Sequence, residues 1–136
     1  LITGISGFVG SYLAEELLNR GAKVYGIVRK RSDSNPSLRL IERGILNHPN
    51  LKLIEGDITD LYSLLNAIDI SMPDIIFHLA SQSFVPKSFE NPLETYKTNV
   101  IGTTNLLEAV RIKNVDPIII FAGSSEEYGL VSFRKI

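Results

Sequence analysis

Thr3-Gly4-Ile5-Ser6-Gly7-Phe8-Val9-Gly10 decides how the rest of the chain is read. It follows a short apolar run, Leu1-Ile2-Thr3, which reads as the tail of a strand. It opens a segment in which Phe8, Val9, Tyr12, Leu13, Leu17 and Leu18 recur at three- and four-residue spacing, predicting a helix from Phe8 to Arg20. Glycines between a strand and an amphipathic helix let the turn tighten and let the backbone approach a diphosphate. The helix start adds free N–H groups and a partial positive charge. An ordinary strand-to-helix turn would use one or two glycines. Three of them, spaced G-x-x-G-x-x-G, favour dinucleotide binding.

Working outward, Gly21 supplies a left-handed stop for the first helix. Val24 to Val28 is a short β-branched strand, Lys30 to Pro36 a polar loop, and Leu38 to Leu46 a short helix. Leu51 to Ile54 reads as a third strand closed by Gly56, and Asp60 as the N-cap of a helix over Leu61 to Ile68. Asp74 to Leu79 is the next strand. Its centre, Ile75-Ile76-Phe77, is continuously apolar, as expected of a parallel strand buried on both faces. A long helix is expected from Pro92 to about Lys113, with Leu93, Tyr96, Val100, Leu107 and Val110 as its buried stripe, and Ile118 to Phe121 is the last strand. Strands alternating with helical crossovers predict an α/β fold, a doubly wound parallel sheet of the Rossmann type.

Composition narrows the function classes. The 136 residues are 44% hydrophobic and 21% charged with a net charge of -1, the profile of one soluble domain. Balanced charge gives no electrostatic footprint for nucleic acid, and no apolar run reaches membrane-span length. The absence of cysteine removes disulfides, thiolate metal sites and a cysteine nucleophile, while His48 and His78 alone argue against a multi-histidine metal centre. The expected compartment is the cytoplasm. Leu1 opens directly inside a strand pattern and the other end has no closing helix. We therefore expect residues 1–136 to be an incomplete N-terminal dinucleotide-binding domain whose C-terminal substrate domain lies outside the sequence.

Ligands of such sheets lie outside the carboxyl ends of the strands. After the second strand the chain reads Val28-Arg29-Lys30-Arg31, with no acid before Asp33. Arg29 and Lys30 suit a ribose 2′-phosphate and favour NADP, while Asp33 folding back onto a ribose leaves NAD open. Asp57 is a candidate acceptor for an adenine amino group with Ile58 covering the ring, or else a turn residue. Leu79-Ala80-Ser81-Gln82-Ser83 ends the fourth strand, and His78 inside that strand reads as structural. Ser124, Ser125 and Glu126 crowd the last strand end, where a hydroxyl can bind a substrate alcohol and a carboxylate can act as general base, or where they simply cap a turn.

Taken together, TGxxGxxG at Thr3 to Gly10, Gly56-Asp57-Ile58-Thr59-Asp60, His78-Leu79-Ala80, Thr98-Asn99-Val100-Ile101-Gly102-Thr103 and Ser124 to Gly129 resemble the extended short-chain dehydrogenase/reductase family of nucleotide-sugar epimerases and dehydratases. Gly10 to Glu15, Gly26-Ile27-Val28-Arg29 with the loop after it, and Gln82-Ser83 are most similar to its GDP-mannose 4,6-dehydratases. The resemblance implies that Gly4, Gly7, Phe8, Val9 and Gly10 hold the pyrophosphate and that Arg29 and Lys30 hold the 2′-phosphate. It implies that Asp57 and Ile58 frame the adenine, and that Leu79, Ala80 and Ser81 line the cofactor path, reached by Tyr96 and Asn99. Ser83 would face a nucleotide-sugar substrate. Ser124 matches the Ser/Thr of the catalytic triad and Glu126 the dehydratase base, with Ser125 between them.

The implied reaction is oxidation at C4 of the sugar, loss of water across C5 and C6, and return of the hydride to C6, within a homo-oligomer. Phe8-Val9 stands where the dehydratases usually carry Gln-Asp, and Ser124 to Gly129 also resembles the GDP-4-keto-6-deoxymannose reductases. A reductase or 4-epimerase is therefore the alternative. The family's Tyr-x-x-x-Lys pair is not in the sequence: Tyr12, Tyr25, Tyr62, Tyr96 and Tyr128 are followed four residues on by Glu16, Arg29, Asn66, Val100 and Ser132. That leaves a non-enzymatic NADP(H)-sensing module as a third reading.

Overall fold

The computed structural model describes residues 1–29, 38–124 and 129. The elements run β1 (Ile2–Thr3), α1 (Phe8–Asn19), β2 (Val24–Val28), α2 (Leu38–Glu42), β3 (Leu51–Glu55), α3 (Leu61–Ser71) and β4 (Ile75–His78). They continue with α4 (Val85–Glu90), α5 (Pro92–Tyr96), a π-helical turn (Lys97–Ile101), α6 (Gly102–Lys113) and β5 (Ile118–Phe121). All pairings are parallel and the strand order is β3-β2-β1-β4-β5, so the chain reverses direction across the sheet between β1 and β4. This is the doubly wound Rossmann-type architecture expected from the strand-helix alternation.

Side-chain alternation along the strands builds two cores, one on each face of the sheet. Ile2, Ile5, Ala14, Leu18, Val24, Leu40 and Ile45 form the layer under α1 and α2. Leu1, Ile27, Ile54, Ile58, Leu64, Ala67, Ile68, Ile76, Leu106 and Ala109 form the layer under α3 and α6. Local signals set the element ends. Asp60 caps α3 by accepting from the Tyr62 and Ser63 N–H groups, and Gly21, at φ +80°, ends α1.

Two expectations are corrected. The segment Pro92 to Lys113 is not one regular helix with one stripe. At its π-helical turn the Gly102 N–H closes on the Lys97 carbonyl, five residues back. The Thr103 and Thr104 hydroxyls take the Asn99 and Val100 carbonyls, which loosens the backbone ladder there. One extra residue rotates α6 by about 100° relative to α5, so the buried face of α6 is Gly102, Leu106 and Ala109. Tyr96, Val100 and Leu107 are exposed, and Leu93 is 81% exposed. Of the expected stripe, Val110 packs against the core.

The last strand is as continuously apolar as the fourth but is not buried. Instead β5 sits at the sheet edge, paired with β4 on one side only among the described residues, and Ile118 is 65% exposed with Ile120 and Phe121 also exposed. Even β4 leaves Ile75 exposed. Along α1, small residues make the buried face (Gly10, Ser11 and Ala14, with Leu18), while Phe8, Val9 and Tyr12 are exposed. The helix start lies too close to the sheet for large side chains.

Candidate functional site

The reversal between β1 and β4 is where open α/β sheets leave a crevice for ligands, and here it is walled by the glycine turn and by Leu79–Ser83. The turn is tight: the Gly7 N–H donates to the Gly4 carbonyl at 2.9 Å and the Ser11 N–H to the Gly7 carbonyl at 3.1 Å. Gly4 has φ +74°, and a Cβ there would lie 2.8 Å from the Ala80 nitrogen and 2.9 Å from the Leu79 carbonyl carbon. A Cβ at Gly10 would lie 2.8 Å from Ile5 Cα and closer still to the Gly4 carbonyl oxygen. These two positions therefore admit only hydrogen. Gly7 occupies the N-cap position, and no side chain caps α1. Its first-turn amides thus have no side-chain acceptor, the arrangement that favours an anion.

Beside the turn, at the carboxyl ends of β2 and β3, a cleft of about 320 Å³ is lined by Arg29, Glu55, Gly56, Asp57 and Ser63. The fold thus brings Arg29 and Asp57 to one cleft. Asp57 Oδ1 accepts from the Thr59 N–H at 2.8 Å and from Thr59 Oγ1 at 2.9 Å, so the turn role is realised with that oxygen. Ile58, next to it, is 7% exposed, packs in the core and lies where a Cβ on Gly102 would fall. An isoleucine beside an apolar layer gains more from burial there than from an open cleft.

On the other wall, Ser81 and Ser83 are exposed, and Leu79 and Ala80 are half-buried. Asn99, in the π-helical turn, directs both amide atoms to one residue: its Oδ1 accepts from the Gln82 N–H at 2.7 Å and its Nδ2 donates to the Gln82 carbonyl at 3.0 Å. Tyr96, one turn earlier, is exposed. His78 is 3% exposed, and burial holds its imidazole below its ordinary pKa. It contacts Thr3 and Thr103, matching its structural reading. Ser124 is exposed at the end of β5, whereas Lys30, Ser125 and Glu126 lie outside the described residues.

Sequence reasoning missed Arg39 and Thr103. Arg39 reaches from α2 to the Ser6 carbonyl at 3.4 Å, which brings a guanidinium to the rim of the glycine turn. Its signal was available, a cation in the first turn of the helix after the basic loop. Thr103 was read as part of a motif string without a role. Among the described residues no helix is long and apolar enough to cross a membrane.

Comparison with known proteins adds to this geometry. A family model described as GDP-mannose 4,6 dehydratase matches residues 1–136. A GDP-mannose 4,6-dehydratase of Yersinia enterocolitica is 43% identical over 135 residues, covering 96% of this chain and 36% of that protein. UDP-glucuronate 4-epimerase 1 of Arabidopsis thaliana is 36% identical over 130 residues, covering 96% of this chain and 30% of that one. The crystal structure of the Bordetella bronchiseptica enzyme WbmH in complex with NAD+ superposes with a TM-score of 0.74 at 32% identity, covering 94% of this chain and 39% of that one. The chain spans about a third of the length of the curated relatives it matches.

Proposed function

The chain belongs to the GDP-mannose 4,6 dehydratase family, and on that premise we propose that the whole protein is an NADP-dependent enzyme that dehydrates GDP-mannose. Residues 1–136 would be its dinucleotide-binding part, with a further portion contributing the Tyr-x-x-x-Lys pair and most substrate contacts. The observation that carries the reading is the glycine turn. An uncapped helix start, closed by backbone around Gly4 and Gly10 at the sheet's switch point, fits a diphosphate. When bound, the dinucleotide supplies a reversible hydride acceptor.

In this reading the backbone of Gly4, Gly7, Phe8, Val9 and Gly10 holds the diphosphate, and Arg29 with Lys30 holds the 2′-phosphate. Asp57 and the backbone of Ile58 border the adenine. Leu79, Ala80, Ser81, Tyr96 and Asn99 line the path toward the sugar, which Ser83 meets. Ser124 hydrogen-bonds the C4 hydroxyl of the hexose. Glu126, ionised, removes the C5 proton after C4 has become a ketone and passes it to the C6 hydroxyl, so that the C5–C6 double bond forms as the C6–O bond breaks and water leaves, with Ser125 between Ser124 and Glu126 in sequence. The protein is further proposed to be a cytoplasmic homo-oligomer.

The second reading is a 4-epimerase or 4-keto reductase. Phe8-Val9 favours it, as does an epimerase relative at 36% identity over nearly the same span. Incubating the full-length protein with GDP-mannose and following the nucleotide-sugar by mass spectrometry separates them. Loss of one water supports dehydration. An unchanged mass rejects it, and consumption of NADPH with a ketosugar identifies a reductase.

A further inference from the structure

A chain of hydrogen bonds runs from the Leu79–Gln82 segment through the sheet and back to it, and its proton order is fixed. Thr3 Oγ1 lies 3.2 Å from the Leu79 nitrogen, 3.2 Å from the Ala80 nitrogen and 2.7 Å from His78 Nδ1. A hydroxyl has one hydrogen and two lone pairs. The Ala80 N–H donates to a Thr3 Oγ1 lone pair, while the Leu79 N–H is shared between that oxygen and the Thr3 carbonyl at 3.3 Å. His78 Nε2, on the far side of the ring, lies 3.0 Å from Thr103 Oγ1. Thr103 donates its one hydrogen to the Asn99 carbonyl at 2.7 Å, so it accepts from Nε2–H, and the bare Nδ1 of the neutral ring accepts from the Thr3 hydroxyl. Asn99 closes the circuit with its two bonds to Gln82. The segment at the end of β4 is thereby held at Leu79 and Ala80 from β1 and at Gln82 from the π-helical turn.

We infer that His78, as the neutral Nε2–H tautomer, is a positioning residue that couples β1, β4 and α6 and sets the Leu79–Gln82 wall of the crevice against the glycine turn. The coupling has no slack on that side, since Leu79 and Ala80 already lie where a Cβ on Gly4 would fall. Loss of the Thr103 hydroxyl leaves the Nε2–H without its acceptor among the described residues. The ring regains a partner by rotating, which releases Thr3 from Nδ1, or loses its stranded hydrogen by changing tautomer, which reverses the Thr3–His78 bond. The wall then shifts, and dinucleotide affinity shifts with it. This last step rests on the dinucleotide-binding reading above, whereas the tautomer and the anchoring of the wall do not.

The experiment uses the full-length protein in three forms: unaltered, Thr103→Ser and Thr103→Val. In the unaltered protein, imidazole nitrogen NMR is expected to show His78 with Nδ1 bare and Nε2 protonated at neutral pH. Amide hydrogen exchange at Leu79, Ala80 and Gln82 is expected to be slow. Thr103→Ser retains both properties and the dinucleotide Kd. Thr103→Val speeds exchange at those amides and weakens dinucleotide binding about tenfold, the consequence of roughly 1.4 kcal/mol lost from a buried polar contact. A structural role alone would lower Tm without moving Kd at temperatures where the variant is folded. A hydrogen on Nδ1, or exchange and Kd both unchanged in Thr103→Val, overturns the inference. If Thr103→Val fails to fold, the tautomer and exchange rates of the unaltered protein still decide it. If the unaltered protein binds neither NADP nor NAD, the functional reading fails while the tautomer and exchange arms stand.

Discussion

Replacing Gly10 by alanine tests the central geometry most directly, because two effects of known sign compete there. Gly10 lies in the first turn of α1 with an ordinary negative φ, so helix propensity alone favours alanine by roughly 0.8–1 kcal/mol. Against that, the new Cβ would lie 2.8 Å from Ile5 Cα and 2.9 Å from the Gly4 carbonyl carbon, inside the 3.0 Å that real Cβ atoms essentially never breach. Both obstacles are backbone, so no side chain can rotate away, and α1 must lift from the turn. Overpacking of this kind costs about 1–3 kcal/mol or more, which outweighs the propensity gain.

Gly21→Ala is the control. At φ +80° with nothing within 4 Å of its Cβ, it meets only the left-handed backbone penalty, about 1–2 kcal/mol. Urea denaturation of the full-length protein with calorimetric titration of NADP separates the two. Gly10→Ala should lower the midpoint and weaken dinucleotide binding by an order of magnitude or more, whereas Gly21→Ala lowers the midpoint but leaves Kd unchanged. A Gly10→Ala protein with unaltered midpoint and affinity would show that the turn is not closed by backbone contact, and the cradle argument would fall.

Three other outcomes are expected from the same contacts. Arg29→Ala is expected to weaken NADP binding about ten- to hundredfold, the worth of a charge-assisted hydrogen bond, and to leave NAD binding nearly unchanged; equal losses for both would remove Arg29 from the 2′-phosphate site. Stability should decline on the acid side through His78, whose ring faces only uncharged groups among the described residues: Thr3, Thr103 and the stacked Phe121. Its folded pKa is lowered by burial from 6.5, so its stabilisation is complete above the unfolded value and is lost as pH falls through the folded one. A His78→Asn variant whose midpoint varies with pH as steeply as the unaltered protein's would refute this. Asn99→Ala strips the Gln82 N–H and carbonyl of their partners and should cost about 1–3 kcal/mol in urea denaturation, with faster exchange at the Gln82 amide; unchanged exchange would mean that the Asn99 contact does not hold the wall.

Local pattern made much of the architecture legible. Asp60 announced the start of α3 because a cap is a contact with the next two or three residues, and Gly21 announced the end of α1 because a left-handed residue is a property of one position. The glycine turn was legible for the same reason, since spacing along the chain is what shapes it. The buried stripe of the last long helical segment was not legible. Periodicity assumes one register, and the π-helical turn at Lys97–Ile101, with the Thr103 and Thr104 hydroxyls on the carbonyls before them, changes that register midway. The core position of Ile58 is not legible either, because its neighbours in sequence do not show that Gly102 leaves room for it.

Element types, the parallel alternation and the glycine turn are thus consequences of the sequence alone, because each depends on residues within one or two turns of each other. The strand order, the inward face of α6 and the partners of His78 were decided by tertiary structure. Thr3 lies 75 residues before His78 and Thr103 lies 25 after it. The direction of each proton between them comes from counting donors and lone pairs, which is possible only once folding has brought the three side chains together.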